Sequence, residues 1–143
     1  MNDISNYRNV LDHLYNKKSD EREFIFNITM QNHGGYEQSN FEPEVKITSM
    51  KGEYPQAEQY LTCMLHSDRA LKELLTELKR YKEPVIVAMF GDHQPAVEEE
   101  FYEELYGVDD LDDLSDEELS FVSRLNLGQM VTKTVYMTVS GTE

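Results

Sequence analysis

The sequence has little of what would place it among disulfide-stabilised or membrane-spanning proteins. Cys63 is the only cysteine in 143 residues, which excludes an internal disulfide framework and a cysteine-rich zinc site. No run approaches the roughly 18 apolar residues that predict a membrane-spanning helix. No basic segment followed by an apolar one opens the chain, so no signal peptide is predicted. The length predicts one domain with one sizeable core.

Basic residues are scarce as well. Lys and Arg number 13 against 28 Asp and Glu, which gives a formal net charge of −15. Binding to nucleic acid or to an anionic membrane surface needs a basic surface, so neither is predicted. The acidic residues concentrate between Glu98 and Glu118, where twelve occur and no basic residue does. A solvated acidic surface is the favoured interpretation of that run.

One short apolar run predicts a buried parallel strand. It extends from Val85 to Phe90, between Pro84 and Gly91, and Asp92 and His93 follow it. Ligands of open α/β sheets bind at the carboxyl ends of strands, and a carboxylate beside an imidazole can bind a divalent metal. The alternative is that Asp92 caps the next helix and His93 is an ordinary loop residue. The spacing alone favours this alternative.

A second apolar run, Phe24 to Met30, also predicts a strand because aromatic and β-branched residues dominate it. It ends at a turn containing Asn32, His33 and two glycines. If the two strands are parallel neighbours, His33 shares an edge of the sheet with Asp92 and His93. A loop histidine bonded to backbone is the alternative.

The two predicted strands, together with the helices predicted around them, indicate an α/β fold with a mostly parallel sheet flanked by helices. Apolar residues at helical spacing predict helices over residues 5–17, 56–82 and 96–106, the last ending at Gly107. Ser115 and Glu118 form a capping box that predicts a helix to about Arg124. Residues 37–55 are irregular, with a possible edge strand from Val45 to Thr48. A further strand is expected near Val131–Val139.

The order of strand, histidine turn, long loop, helix, strand and Gly-Asp-His resembles a known family. It is similar to the C-terminal part of the sulfatase-type domain of the alkaline phosphatase superfamily, in particular to the lipoteichoic acid synthase family of phosphoglycerol transferases. The matching residues are Phe26 to Tyr36, Tyr54, the helix from Tyr60 to Leu71, and Met89 to Pro95. The resemblance covers about residues 5–124.

The resemblance implies a role for each of four residues. Asp92 and His93 match the pair that binds the catalytic divalent cation, commonly manganese. His33 matches a histidine near the phosphoglycerol group, and Asn32 precedes it in the same substrate-binding turn. The implied substrate is a phosphoglycerol or sulfate ester. The full-length family works at the extracellular face of a bacterial membrane.

The chain also departs from that family. The nucleophile and the remaining metal ligand come from the N-terminal half of the family domain, which has no counterpart in this sequence. Two metal ligands are too few for a tight catalytic site, so we expect weak manganese binding and no activity from the chain on its own. The other interpretation is non-catalytic: a small acidic α/β module that binds a partner.

The last residues differ from the family in another way. We assign residues 1–125 to the C-terminal part of a sulfatase-like catalytic domain and residues 126–143 to an atypical tail. With suitable synonymous codons, the stretch from Leu127 to Tyr136 reads in another frame as Trp-Ala-Asn-Gly-Asp-Lys-Asp-Gly-Ile, which looks familial. A frameshift shortly before Leu127 is one interpretation, and a genuine strand of this protein is the other.

Overall fold

The computed structural model describes residues 2–18, 21–38, 41–91, 95–115 and, for the backbone, 135–139. The elements in chain order are α1 (Asp3–Asn16), α2 (Pro55–Leu78), β1 (Val85–Met89), α3 (Glu99–Tyr106), a 3-10 turn (Leu111–Asp113) and β2 (Val135–Val139). The described residues belong to two compact units, and α2 continues from one to the other.

The first unit packs α1 against the second half of α2. Its described residues fall within Met1–His33, Met64–Val87 and Tyr136–Glu143. The core contains buried side chains from both helices, namely Tyr7, Leu11, Ala70, Leu74 and Leu78. Val85 and Val87 of β1 pack against this core, whereas Ile86 between them is 79% exposed. One face of β1 is therefore covered by helices, and Ile86 lies on the other.

Helix α1 confirms the helix predicted over residues 5–17 but begins at Asp3. The reason is Asn2, whose side chain accepts a hydrogen bond from the Ser5 backbone N–H at 3.1 Å and so caps the first turn. After the last turn, the Lys17 ammonium group pairs with the Glu83 carboxylate at 2.8 Å. The Lys17 side chain is almost fully buried, so this ion pair fixes the chain that leaves α1.

The second unit contains the first part of α2, the loop that precedes it, and α3. Its residues fall within Gly34–Cys63 and Ala88–Val135. Tyr54 and Phe101 meet edge to face with ring centroids 5.5 Å apart, and Tyr36 meets Tyr60 in the same way at 5.6 Å. Tyr36 and Tyr54 are both buried. These two tyrosines are therefore packing residues of this unit.

The loop before α2 has no strand between Val45 and Thr48, so the edge strand expected there is wrong. Side chains of α2 bind its backbone instead. The Thr62 hydroxyl oxygen accepts from the N–H groups of Glu44 and Val45, each at 3.2 Å. Because α2 satisfies these donors, the loop needs no neighbouring strand.

The two other predicted helices are confirmed with shorter bounds. Helix α2 ends at Leu78, and α3 begins at Glu99. Gly107 ends α3 with a φ of 71°, and its N–H donates to the Glu103 carbonyl at 2.8 Å. A left-handed residue after the last turn is a usual helix end and favours glycine. The helix predicted from Ser115 lies outside the described residues.

The strand predicted at Phe24–Met30 is wrong. Residues 21–30 form no helix, turn or bend, and they pair with no strand in the described part of the chain. A β-strand requires a neighbour for its backbone N–H and C=O groups, and the sequence pattern does not reveal whether one is present.

The strand predicted at Val85–Phe90 is confirmed as β1, and β1 pairs with β2 in a two-stranded sheet. The burial predicted for this strand is wrong, because no residue of β1 is buried and Ile86 is 79% exposed. β2 falls inside the stretch where a strand was expected near the C-terminus. The mostly parallel sheet stays a prediction. In the part of the chain that the structure describes, no helix is both long enough and apolar enough to cross a bilayer.

Candidate functional site

The turn that carries Asn32 and His33 has a defined backbone geometry. The His33 N–H donates to the Met30 carbonyl at 3.2 Å. Gly34 and Gly35 follow with φ angles of 24° and 78°, in the left-handed region where a side chain costs energy. His33 itself is exposed. The two glycines therefore let the chain reverse directly behind an accessible imidazole.

Ser67 of α2 binds both this turn and the first turn of α1, within the first unit. Its hydroxyl donates to Oδ2 of Asp3 at 2.5 Å. The same oxygen accepts from the side-chain amides of Asn32, at 2.9 Å, and Gln31, at 3.0 Å. A serine hydroxyl has one donor and two acceptor sites, so these three hydrogen bonds use its whole capacity.

Asp3 is the buried member of this cluster, with 2% of its surface exposed. Its backbone N–H donates to Oε1 of Gln31 at 3.0 Å, and its position in the first turn of α1 places the carboxylate at the positive end of the helix dipole. Its second carboxylate oxygen, Oδ1, has no hydrogen-bond partner among the described residues. We call Asp3, Gln31, Asn32 and Ser67 the Ser67 cluster.

The Ser67 cluster was missed by sequence reasoning, although one signal pointed to it. Ser67 follows Cys63 by four residues and precedes Ala70 by three, so it falls on the apolar stripe of α2. A polar residue on such a stripe is buried and needs a partner. Nothing in the sequence indicates that this partner is Asp3, which lies 64 positions away.

The predicted metal ligands, Asp92 and His93, come just after β1 in the sequence. Asp92, His93 and Gln94 lie outside the described residues, in a gap that begins three residues after the end of β1. Within the described ranges no group of three His, Cys, Asp or Glu side chains could hold a metal ion. The convergence of His33 with Asp92 and His93 stays a prediction.

Two carboxylates of the acidic run have structural contacts, so the interpretation of that run as a solvated surface is incomplete. Glu98 accepts from the backbone N–H groups of Gln56, at 2.6 Å, and Ala57, at 3.0 Å, in the first turn of α2. A helix N-terminus carries unsatisfied donors and a partial positive charge, so a carboxylate stabilises it. Glu98 thus caps α2 from a distant part of the sequence.

Glu104 of α3 binds the loop just before α2. Its carboxylate accepts from the backbone N–H groups of Lys51, at 2.5 Å, and Gly52, at 3.0 Å, and from the Tyr54 hydroxyl at 2.5 Å. These hydrogen bonds hold the pKa of the Glu104 carboxyl below its ordinary value. The hydrogen bond to Glu104, together with burial, raises the pKa of Tyr54 to about 12. This hydrogen bond therefore favours the ionised carboxylate of Glu104 and the neutral phenol of Tyr54.

Comparison with known proteins gives one positive result. The family model described as Sulfatase matches residues 1–127. No curated protein and no solved structure matches the chain.

Proposed function

Because the chain belongs to the sulfatase family, we propose that it is part of the catalytic domain of a metal-dependent phosphoglycerol transferase of the lipoteichoic acid synthase type, or of a sulfatase-like hydrolase. The match over residues 1–127 carries the proposal. The Gly-Asp-His sequence that follows β1 supports it, because polar residues after a strand of an α/β sheet are usual ligand-binding residues.

In this proposal Asp92 and His93 are the metal ligands that the chain contributes. A carboxylate oxygen and an imidazole nitrogen suit Mn²⁺ or another divalent cation. Two protein ligands fall short of the set that holds a catalytic metal tightly, so the chain on its own binds the ion weakly. A cation bound there supplies Lewis-acid polarisation of a phosphoryl or sulfuryl oxygen.

His33 is the residue that we assign to substrate binding. Its imidazole is exposed on the glycine turn and can donate a hydrogen bond to an oxygen of a phosphate or sulfate ester. The Asn32 amide donates to Ser67, at 2.9 Å, and to the Met64 sulfur, at 3.3 Å. Asn32 therefore contributes to substrate binding by fixing the turn that presents His33.

We propose that the chain on its own does not turn over an ester. Covalent catalysis needs a nucleophile activated by a metal or a base, and we assign no residue of this chain to that role. The remaining groups are a binding residue, His33, and two metal ligands, Asp92 and His93.

The test is an assay of the purified chain with Mn²⁺ and two chromogenic esters, bis(para-nitrophenyl) phosphate and para-nitrophenyl sulfate. We expect no release of nitrophenol above the buffer rate. Calorimetry in parallel should detect weak Mn²⁺ binding that Asp92→Ala removes and that Asp109→Asn, a change in the acidic run, retains. Metal-dependent hydrolysis that His93→Ala abolishes would overturn the inactivity. Tight binding that survives Asp92→Ala would overturn the ligand assignment.

A further inference from the structure

The side-chain amide of Gln31 is held at both ends. Its Oε1 accepts from the Asp3 backbone N–H at 3.0 Å, and its Nε2 donates to the Ser67 hydroxyl oxygen, also at 3.0 Å. Ser67 donates in turn to Oδ2 of Asp3 at 2.5 Å. These three hydrogen bonds close a ring within the Ser67 cluster, and bonds linked in this way strengthen one another. We call Asp3, Gln31 and Ser67 the hydrogen-bond ring.

The backbone of α1 fixes the direction of each hydrogen bond in the ring. The Asp3 N–H can only donate, so the oxygen of the Gln31 amide lies on its side and the nitrogen faces Ser67. The Ser67 oxygen therefore accepts from Gln31 and gives its own proton to the Asp3 carboxylate. Its second acceptor site takes the Asn32 amide at 2.9 Å. The first turn of α1 thus sets the orientation of both amides that precede His33.

Gln31 and Asn32 are the two central residues of the turn that ends at His33. The His33 N–H donates to the Met30 carbonyl at 3.2 Å, so these four residues form a β-turn. Both central side chains are bound to Ser67. The two glycines that follow restrict the backbone little, because they carry no side chain. The anchoring of His33 on its N-terminal side therefore depends on Ser67.

Two members of the ring are shielded from solvent. Asp3 is 2% exposed and Ser67 6%. Water therefore does not replace a hydrogen bond that these residues lose, and a group left unpaired there carries the full cost of its burial. Both residues belong to the first unit, as does the turn up to His33. A change at Asp3 or Ser67 is thus transmitted to the turn through hydrogen bonds.

We propose that Asp3, Gln31 and Ser67 are positioning residues for the binding of a phosphate or sulfate ester by His33. The inference rests on the proposed function, which assigns the ester to His33. Because the ring holds the turn in one conformation before the ester arrives, little conformational freedom is lost on binding. The contribution of the three residues is an imidazole that is already oriented for the ester.

The Asp3 carboxylate offers a matched pair of substitutions. Its Oδ1 has no hydrogen-bond partner among the described residues, so only Oδ2 serves the ring. Asp3→Asn keeps an oxygen for Ser67 and places its nitrogen where Oδ1 lies. Asp3→Ala removes the acceptor, and the Ser67 proton turns to the Asn32 amide oxygen, 3.2 Å away. The first variant should therefore keep the turn, and the second should release it.

The first measurement needs no ester. In the isotope-labelled full chain, the backbone amide of His33 should have a nuclear magnetic resonance order parameter of about 0.85, typical of rigid backbone. Asp3→Ala and Ser67→Ala should lower it below about 0.6, whereas Asp3→Asn should keep it. Thr76→Ala, which removes an exposed hydroxyl of the same helix, is the control. A rigid amide at Leu74, in the core, shows that each variant remains folded.

Gln31→Met supplies a variant outside the helices. Gln31 is half-buried on the turn, so its replacement removes two hydrogen bonds of the ring and leaves the packing between α1 and α2 intact. It should mobilise the His33 amide as Ser67→Ala does. If Asp3→Ala or Ser67→Ala unfolds the first unit, Gln31→Met decides the matter.

The second measurement adds the ester. Titration with glycerol 3-phosphate should shift the His33 imidazole resonances of the full chain. Ser67→Ala and Gln31→Met should raise the dissociation constant by about fivefold or more, because the turn must then be ordered on binding. Asp3→Asn and Thr76→Ala should leave the constant within about twofold of that of the unmodified chain.

The two measurements separate this inference from the proposed function. A His33 order parameter that is equal in the unmodified chain, Ser67→Ala and Gln31→Met would overturn the positioning role alone. Mobility in Asp3→Asn as great as in Asp3→Ala would overturn the hydrogen-bond ring. If the imidazole of the unmodified chain does not respond to glycerol 3-phosphate, the proposed function loses its ester-binding residue, and the positioning role fails with it whatever the order parameters are.

Discussion

The Ser67 hydroxyl donates to the Asp3 carboxylate at 2.5 Å and links the first turn of α1 to the middle of α2. Through Asn32 and Gln31 the same oxygen also holds the turn that carries His33. The geometry of the candidate substrate-binding turn therefore depends on a buried pair outside it. Both members of that pair lie in the first unit, whose helices supply its core.

Replacing Ser67 by Ala should destabilise the first unit by about 1–3 kcal/mol, the cost of leaving a buried polar group without its partner. After the change the Asp3 carboxylate has lost the hydrogen bond to Oδ2, and Oδ1 has no partner among the described residues. Urea denaturation followed by circular dichroism measures the effect.

The matched control is Thr76→Ala, which removes an exposed hydroxyl of α2 that donates only to the Lys72 carbonyl. Its effect should stay within about 0.5 kcal/mol. If the two variants lose equal stability, the Ser67 cluster does not hold the unit together.

Glu104 and Glu103 should respond to neutralisation in opposite directions. The pKa of Glu104 is lowered by hydrogen bonds from Tyr54 and the loop, so ionised Glu104 stabilises the fold above its unfolded pKa. The pKa of Glu103 is raised by partial burial and by neighbouring carboxylates, so its charge opposes folding at neutral pH. Glu104→Gln should therefore lower the thermal midpoint at pH 7, and Glu103→Gln should leave it unchanged or raise it.

A pH series completes this comparison. The stabilisation from Glu104 should be lost as the pH falls through the folded pKa, below the ordinary value of 4.5. The difference between Glu104→Gln and the unmodified chain should therefore shrink in acid. A difference that is constant from neutral pH into acid would contradict the assigned hydrogen bonds.

Alkaline titration should separate the buried phenols from the others. The hydrogen bond to Glu104 raises the pKa of Tyr54 to about 12, and burial raises that of Tyr102 to about 12. The neutral phenols of Tyr54 and Tyr102 stabilise the fold fully below pH 10, and this stabilisation is lost as the pH rises through their folded-state pKa. Ultraviolet titration of the nine tyrosines should show a late phase that Tyr54→Phe and Tyr102→Phe each diminish. If all nine tyrosines of the folded chain titrate near pH 10, the raised pKa values of Tyr54 and Tyr102 are contradicted.

Local patterns predicted the helices because the hydrogen bonds of a helix join residues that are close in sequence. Leu71, Leu74 and Leu78 indicate the buried stripe of α2, and Gly107 indicates the end of α3. The strand at Phe24–Met30 was predicted wrongly because pairing depends on a neighbour that a local pattern does not contain.

Long-range polar contacts could not be predicted for a related reason. Ser67 with Asp3 and Glu104 with Tyr54 are pairs 64 and 50 positions apart, and no local period links them. The acidic run shows the same limit. Its composition predicts solvation, yet the fold uses Glu98 and Glu104 to bind backbone N–H groups.

The tail hypothesis makes a prediction about the gene. If residues 126–143 follow a frameshift, the codons from Leu127 to Tyr136 should encode Trp-Ala-Asn-Gly-Asp-Lys-Asp-Gly-Ile in another frame. Sequencing this region and the flanking DNA decides between that origin and a genuine strand at Val135–Val139. Other codons, or an early stop in the shifted frame, would exclude the frameshift.

The central claim is that Asp92 and His93 are metal ligands inherited from a sulfatase-type site. The measurement is a titration of isotope-labelled chain with Mn²⁺, followed as paramagnetic broadening of each backbone amide. The account predicts that broadening begins at Gly91 to Gln94, and that Asp92→Ala removes it while Asp109→Asn does not. Broadening that begins instead across the acidic run from Glu98 to Glu118, and that Asp92→Ala leaves unchanged, would contradict the account.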